Sequence, residues 1–419
     1  MFGARMAGAA LGVITQFVLA RAFAPADVGH FFLVMSVCAI VSLIITGGYP
    51  ALAISLLARY YTLGRHSLER AFLAASWRGT FVLTALTALV VLLFLHYGGV
   101  SPEFRDAVIF GSLAALPYAV MRLNSAVANA QRRFTMSYVP DFVYRSALLL
   151  AVALAGIFLV PGFSITHMAW SFVAITALVT AYQAWVMGRD AASANIRFHG
   201  RSIAPFIRHR AAALFFVAMI TMVFADIVTI LAGYFLPAAD VAVLGIAIKL
   251  AALIGFVTQS SQQFIVRDLA TAMTRGKPHE VDTLLFRVNI VTLGVMAAAL
   301  LGSFLLGELV LGAFGRDYRA GFWPLVVFLA SQALRAAGGM NSHLLALRGY
   351  QTNTALSCGL ASAVLVAAIA YLSPRFGIIG VAYAVLITDA VWALHLGLMA
   401  QRLTGRRADI LAVSFSRAA

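Results

Sequence analysis

About twelve apolar stretches, each on the order of 20 residues, fill the chain from end to end and are separated by short loops that carry arginine. A helix of about 20 apolar residues is what the ~30 Å hydrocarbon core of a bilayer requires. Hydrocarbon offers backbone amides no partner, so only helices and closed barrels span it. Barrel strands would alternate apolar and polar residues over about 10 positions, whereas these stretches are continuously apolar. The expected fold class is therefore an all-α integral membrane protein. Composition agrees: 62% of residues are hydrophobic and 11% charged, and mean hydropathy is +0.94, which leaves no room for a soluble domain of ordinary composition.

Hydropathy windows place the spans at Ala7–Phe23, Val28–Leu57, Trp77–His96, Ala107–Ala130, Pro140–Val160 and Ile165–Gly188. The second set is Ala212–Leu236, Val241–Leu269, Leu284–Gly307, Phe322–Leu347, Asn353–Leu372 and Gly377–Arg402. The polar stretch between the sets defines residues 1–188 as an N-terminal six-helix bundle, 189–211 as a cytoplasmic linker, 212–402 as a C-terminal six-helix bundle and 403–419 as a cytoplasmic tail. Ala22-Phe23-Ala24 behind the first apolar run imitates a signal-peptide cleavage site, but Pro25 would follow the cut and the spans continue, so no cleavage is expected.

The net charge of +15 and pI near 10.5 invite a nucleic-acid reading. That reading needs the basic residues on one solvated face, and here they recur in alternate loops. One set holds Arg59, Arg65, Arg70, Arg78, Arg132, Arg133, the cluster from Arg189 to Arg210, then Arg267, Arg275, Lys277, Arg287, Arg348 and the tail arginines. The opposite set holds Arg21, Arg105, Arg316, Arg319 and Arg375. The positive-inside rule then puts both termini in the cytoplasm, as an even helix count requires.

The halves echo each other. Phe163-Ser-Ile-Thr-His-Met-Ala-Trp before the sixth span aligns with Phe376-Gly-Ile-Ile-Gly-Val-Ala-Tyr before the twelfth, and Pro25-Ala-Asp-Val aligns with Ala238-Ala-Asp-Val. Ala130-Gln-Arg-Arg-Phe aligns with Ala346-Leu-Arg-Gly-Tyr at nearly the same offset. Equivalent helices with the same orientation make a parallel pseudo-two-fold repeat, the sign of a transporter with a cleft between two bundles.

An ionised side chain at bilayer depth costs on the order of 3 kcal/mol, so the few present are the site candidates. Arg122, Lys249 and Arg335 lie well inside their spans and Arg145 lies nearer the end of the fifth. They are candidate contacts for an anionic substrate, arginine being suited to phosphate oxygens. The alternative for Arg122 and Arg145 is pairing with Asp141 or reaching to the interface, and for Arg145 that alternative is preferred. Asp226 and Asp389 are candidate sites for a coupling ion, H+ or Na+, or else counterions.

Other features carry less. Gln259 to Gln263 is a polar run better suited to interhelical hydrogen bonding than to sugar recognition. Gly47-Gly48-Tyr49-Pro50 breaks the second span and is expected to kink towards a cavity. His167 and His395 have no partner spacing, and Cys38 and Cys358 sit in apolar runs without metal-ligand spacing, so all four are expected to pack. No Walker loop, His-Glu-x-x-His or serine elbow is present; neither enzymatic activity, metal nor cofactor is expected.

Ala20-Arg21-Ala22-Phe23-Ala24-Pro25-Ala26-Asp27-Val28-Gly29 resembles the first-loop signature of bacterial polysaccharide (O-antigen and exopolysaccharide) flippases. Asp226 with Ile230-Leu231-Ala232-Gly233-Tyr234 is similar to that family's seventh helix, Gly315-Arg316-Asp317-Tyr318-Arg319-Ala320 to the segment before its tenth, and Pro374 to Ala382 to the loop before its twelfth. The likeness runs from about Leu19 to Arg402 and extends to the wider multidrug/oligosaccharidyl-lipid/polysaccharide (MOP) exporter superfamily. It departs at the start, where hardly any cytoplasmic segment precedes the first helix, which bears on where translation begins. The resemblance implies two bundles that open alternately to either side of the bacterial inner membrane. It also implies an undecaprenyl-pyrophosphate-linked oligosaccharide as substrate, for O-antigen lipopolysaccharide, capsule or exopolysaccharide assembly, with membrane lipids, glycan polymerase and glycosyltransferases as partners and no nucleic acid. The competing expectations are a cation-coupled multidrug exporter of the same superfamily and a polytopic glycan polymerase or ligase.

Overall fold

A computed structural model describes residues 2–99, 101–191, 207, 210–212, 214–215, 217–219, 223–275, 278–405 and 408–409. Among these every regular element is a helix. The long helices are α1 (Phe2–Ala22), α2 (Pro25–Thr46), α3 (His66–Tyr97), α4 (Pro102–Ala130), α5 (Arg145–Leu159), α6 (Ile165–Ala191), α7 (Phe224–Phe235), α8 (Ala238–Thr274), α9 (Pro278–Phe314), α10 (Phe322–Ala337) and α11 (Gln351–Thr404). Ten helices are long and apolar enough to cross a membrane, or eleven when Arg210–Met219 and α7, bent by 64°, count as one span. The 54 residues of α11 would make a rod of about 80 Å, far longer than one bilayer. Gly377, at φ 60° and ψ −140°, breaks it into two arms, which brings the spans to the twelve expected.

The surface is apolar where that of a water-soluble protein would be polar. Phe81 on α3 is 75% exposed and Leu305 on α9 is 81% exposed, as befits side chains facing lipid. The packed seams are mainly apolar and also hold small hydroxyl residues, Ser42, Thr46 and Ser331 being fully buried. Several return their hydroxyls to the preceding helical turn, as Thr46 does to Ser42 O at 2.9 Å, which satisfies those hydroxyls within their own helix.

Helices overrun the windows read from hydropathy. α3 begins at His66, eleven residues before the expected Trp77, and α9 runs from Pro278 to Phe314 around the expected Leu284–Gly307. Hydropathy reports only the hydrocarbon depth, whereas the helix continues through the interface with residues such as Glu69 and Arg70 on it. The tenth span, expected as one helix, ends at Ala337 and restarts as Asn341–Leu347. The second breaks where Gly-Gly-Tyr-Pro predicts: Gly47 and Gly48 take φ of 52° and 79°, and Pro50 opens the next turn, where its missing donor costs nothing. Gly48 faces the backbone of Ala211, whose carbonyl oxygen a β-carbon would meet at 2.1 Å; the break is packed against chain rather than turned to a cavity.

The chain divides into two compact units, Met1–Tyr234 and Phe235–Ala419. The sequence division fell one helix earlier, at 211/212. In the first unit α7 lies against α2: a β-carbon on Gly233 would meet Leu33 at 2.4 Å, and Leu43 clusters with Ala218 and Val223. Of the expected linker, residues 192–206, 208 and 209 lie outside the described residues, as do 406, 407 and 410–419 of the tail.

Candidate functional site

In the first unit α2 and α4 run in extended contact. Gly111 permits it, since a β-carbon there would meet Val37 at 2.6 Å and Val34 O at 2.8 Å. Arg122 follows three helical turns later, on the same face of α4. It therefore points at α2, where its Nη1 donates to Ala39 O at 3.4 Å and to Ser42 Oγ at 3.3 Å. The Tyr118 ring lies one turn away, 5.8 Å from the guanidinium carbon.

Tyr118 also serves a second arginine. Pro140 lacks the donor for the regular ladder, and a π turn, Pro140–Tyr144, follows before α5. Asp141, within that turn, pairs with Arg145, which follows it: Arg145 Nε and Nη2 donate to Asp141 Oδ1 at 3.0 and 2.9 Å. The other carboxylate oxygen accepts from Tyr118 Oη at 3.4 Å, and the Tyr118 ring sits 4.7 Å from the Arg145 guanidinium. Asp226 stands in the first turn of α7, where the helix dipole favours a carboxylate, and its Oδ1 accepts from Ser36 Oγ on α2 at 3.0 Å. Arg122, Arg145 and Asp141 thus meet around Tyr118.

In the second unit Arg335, near the end of α10, approaches the last arm of α11. Its Nε lies 3.5 Å from Asp389 Oδ1, and its guanidinium carbon lies 4.8 Å from the Trp392 ring centre. Asp389 Oδ2 accepts from Ser331 Oγ, one turn before Arg335. The Asp389 side chain is 2% exposed and that of Arg335 21%. Lys249 is half-buried on α8. α8 and α10 meet where Gly255 faces Gln332, a β-carbon there lying 2.6 Å from Gln332 Oε1, so Lys249 and Arg335 stand on neighbouring helices. His395 is bonded to Ser357 Oγ at 2.9 Å and His167 to Ser164 Oγ at 2.7 Å. Among the described residues no group of three His, Cys, Asp or Glu is placed to hold a metal ion.

Sequence reasoning identified the deep charges one by one and missed what holds them: Tyr118, Ser42, Ser36, Ser331 and Trp392. It also missed their relation. Pro25 and Ala238 are 213 residues apart, as are Phe163 and Phe376, and so are Arg122 and Arg335. At that offset the two arginines coincide, whereas Ala130 and Ala346 lie 216 residues apart. The same shift takes Ser42 to Gly255, Tyr118 to Ser331, Ser36 to Lys249 and Thr176 to Asp389.

The described residues thus form an all-α architecture of apolar spans in two compact units. No family model matches the sequence, and no characterised protein matches it by sequence. Solved structures do match in shape. One is the lipid II flippase MurJ in its inward closed conformation, with a TM-score of 0.72 at 15% identity, covering 94% of this chain and 86% of that chain. Another is a multidrug resistance MATE family transporter in its inward-facing conformation, with a TM-score of 0.72 at 15% identity and 95% of each chain covered. A third is a MOP superfamily transporter from Pyrococcus furiosus, described as having a binding pocket of reversed polarity, with a TM-score of 0.55 at 16% identity over 94% of this chain and 95% of that one. At such identities the likeness establishes the fold.

Proposed function

We propose that the protein is a flippase that moves an undecaprenyl-pyrophosphate-linked oligosaccharide across the bacterial inner membrane for surface polysaccharide synthesis. It works by alternating access of bundles 1–188 and 212–402, with both termini in the cytoplasm. The observation that carries this reading is an arginine within an apolar span of each half, Arg122 in α4 and Arg335 in α10, 213 residues apart, where one charge costs on the order of 3 kcal/mol. Arg122 in the first unit, and Arg335 with Lys249 in the second, offer a diphosphate planar and point-like donors in place of water, while the polyprenyl chain stays in lipid. Arg145 is committed to Asp141 and supports Tyr118 beneath Arg122. The shape likeness to a lipid II flippase is in keeping with a lipid-linked substrate. The test is surface glycan in a strain lacking its own flippase: Lys249→Ala and Arg335→Ala are expected to abolish complementation, with lipid-linked repeat units retained on the cytoplasmic leaflet. Unimpaired surface glycan removes both residues from the mechanism.

One observation favours a second reading. Asp226 and Asp389 sit on helices α7 and α11 as acids within spans, as a cation-coupled exporter of drugs would need, and the fold is shared with MATE transporters. Drug sensitivity with normal surface polysaccharide in a deletion strain would favour that reading over the first.

A further inference from the structure

The geometry points to Asp389 as a resident counter-anion of Arg335, one that the substrate diphosphate displaces, and hence as the residue that sets which anions the site admits; this rests on Arg335 contacting the substrate, as proposed above. Asp389 is 2% exposed and its Oδ2 is held by Ser331, while Arg335 is 21% exposed. An arriving anion therefore meets the guanidinium first, with the carboxylate behind it. The contact between them is loose: Nε to Oδ1 is 3.5 Å, beyond the 2.7–2.9 Å of a strong charge-assisted bond. Trp392, 4.8 Å from the guanidinium carbon, holds the plane of the fork as the anion is exchanged.

The arrangement has a chemical consequence. Without substrate the guanidinium is neutralised by a neighbour, which lowers the cost of keeping it within the membrane. A carboxylate solute offers Arg335 nothing that Asp389 does not already supply. A diphosphate brings several acceptor oxygens and higher charge, and matches the guanidinium fork bidentately, so it outcompetes the resident group. Asp389 thus lowers affinity for every anion and admits those of the phosphate class. In the first unit the equivalent position is Thr176, so the device belongs to the second unit.

The experiment is calorimetric titration of inorganic pyrophosphate, and separately of undecaprenyl pyrophosphate, into the purified full-length protein in detergent micelles. Asp389→Asn is expected to bind both probes about tenfold tighter than the parent, and Arg335→Ala to bind at least about tenfold more weakly. Asp389→Thr, which installs the residue that the repeat carries at the equivalent position, is expected to reproduce the gain and guards against failure of the asparagine variant to fold. Unchanged or weaker binding by a folded Asp389 variant, with Arg335→Ala still defective, would overturn the inference and make Asp389 a positioning residue. A gain for inorganic pyrophosphate with none for the lipid-borne probe would overturn it as well. If Arg335→Ala binds like the parent, it is the assignment of Arg335 to the substrate that fails.

Discussion

The two units place an arginine at the same point of the repeat and anchor it by different means. In the first, Arg122 reaches across to α2 and donates to Ala39 O and the Ser42 hydroxyl, while the nearby Asp141 is taken by Arg145. In the second, the position of Ser42 is Gly255, which offers no hydroxyl and is approached by Gln332 instead. Arg335 then meets Asp389 of the last helix. Placing a charge within a span requires only helix register, whereas compensating it depends on the single side chains that neighbouring helices bring up, and these differ between the two units.

The largest expected effects come from removing the cation of either ion pair. Arg335→Ala and Arg145→Ala each leave a carboxylate without its partner and are expected to lower stability by about 3 kcal/mol. Thermal unfolding in detergent reads this, and Arg335→Ala/Asp389→Thr and Arg145→Ala/Asp141→Asn are expected to recover most of the loss. A double variant as unstable as its single parent would break the account of these pairs. Next is Ser331→Ala, which removes a hydroxyl from a buried carboxylate and is expected to cost about 1.5 kcal/mol in the same assay. Smallest is Ser42→Ala, which removes a 3.3 Å contact to Arg122, with an expected cost of about 0.5 kcal/mol. Equal effects for the two serines would erase the contrast between the units, while a clear excess for Ser331 would sharpen it.

Much of the fold was legible because hydrocarbon imposes a simple rule: a helix must be apolar for about 20 residues. The break after Thr46 was legible too, since Gly47-Gly48-Tyr49-Pro50 leaves the helix no alternative. The break between Ala337 and Asn341 passed unnoticed although Gly338-Gly339 marks it, because apolar residues on either side keep the hydropathy window continuous. At the site, Arg122, Lys249 and Arg335 stood out by rarity alone. Their partners did not, because serine, tyrosine and tryptophan are ordinary within membrane spans. The packing of α7 with the first unit was not readable, since hydropathy locates a helix in the membrane without saying which neighbours it faces.

The central claim is that the two repeat-related arginines carry the diphosphate through the membrane. Its most direct test follows an undecaprenyl-pyrophosphate-linked sugar across proteoliposomes that contain the purified protein, with Arg122→Ala and Arg335→Ala measured beside the parent. The account predicts transfer by the parent and a rate at least about tenfold lower in each variant, the scale expected for losing one charge-assisted contact. Transfer by both variants at the parental rate would contradict it.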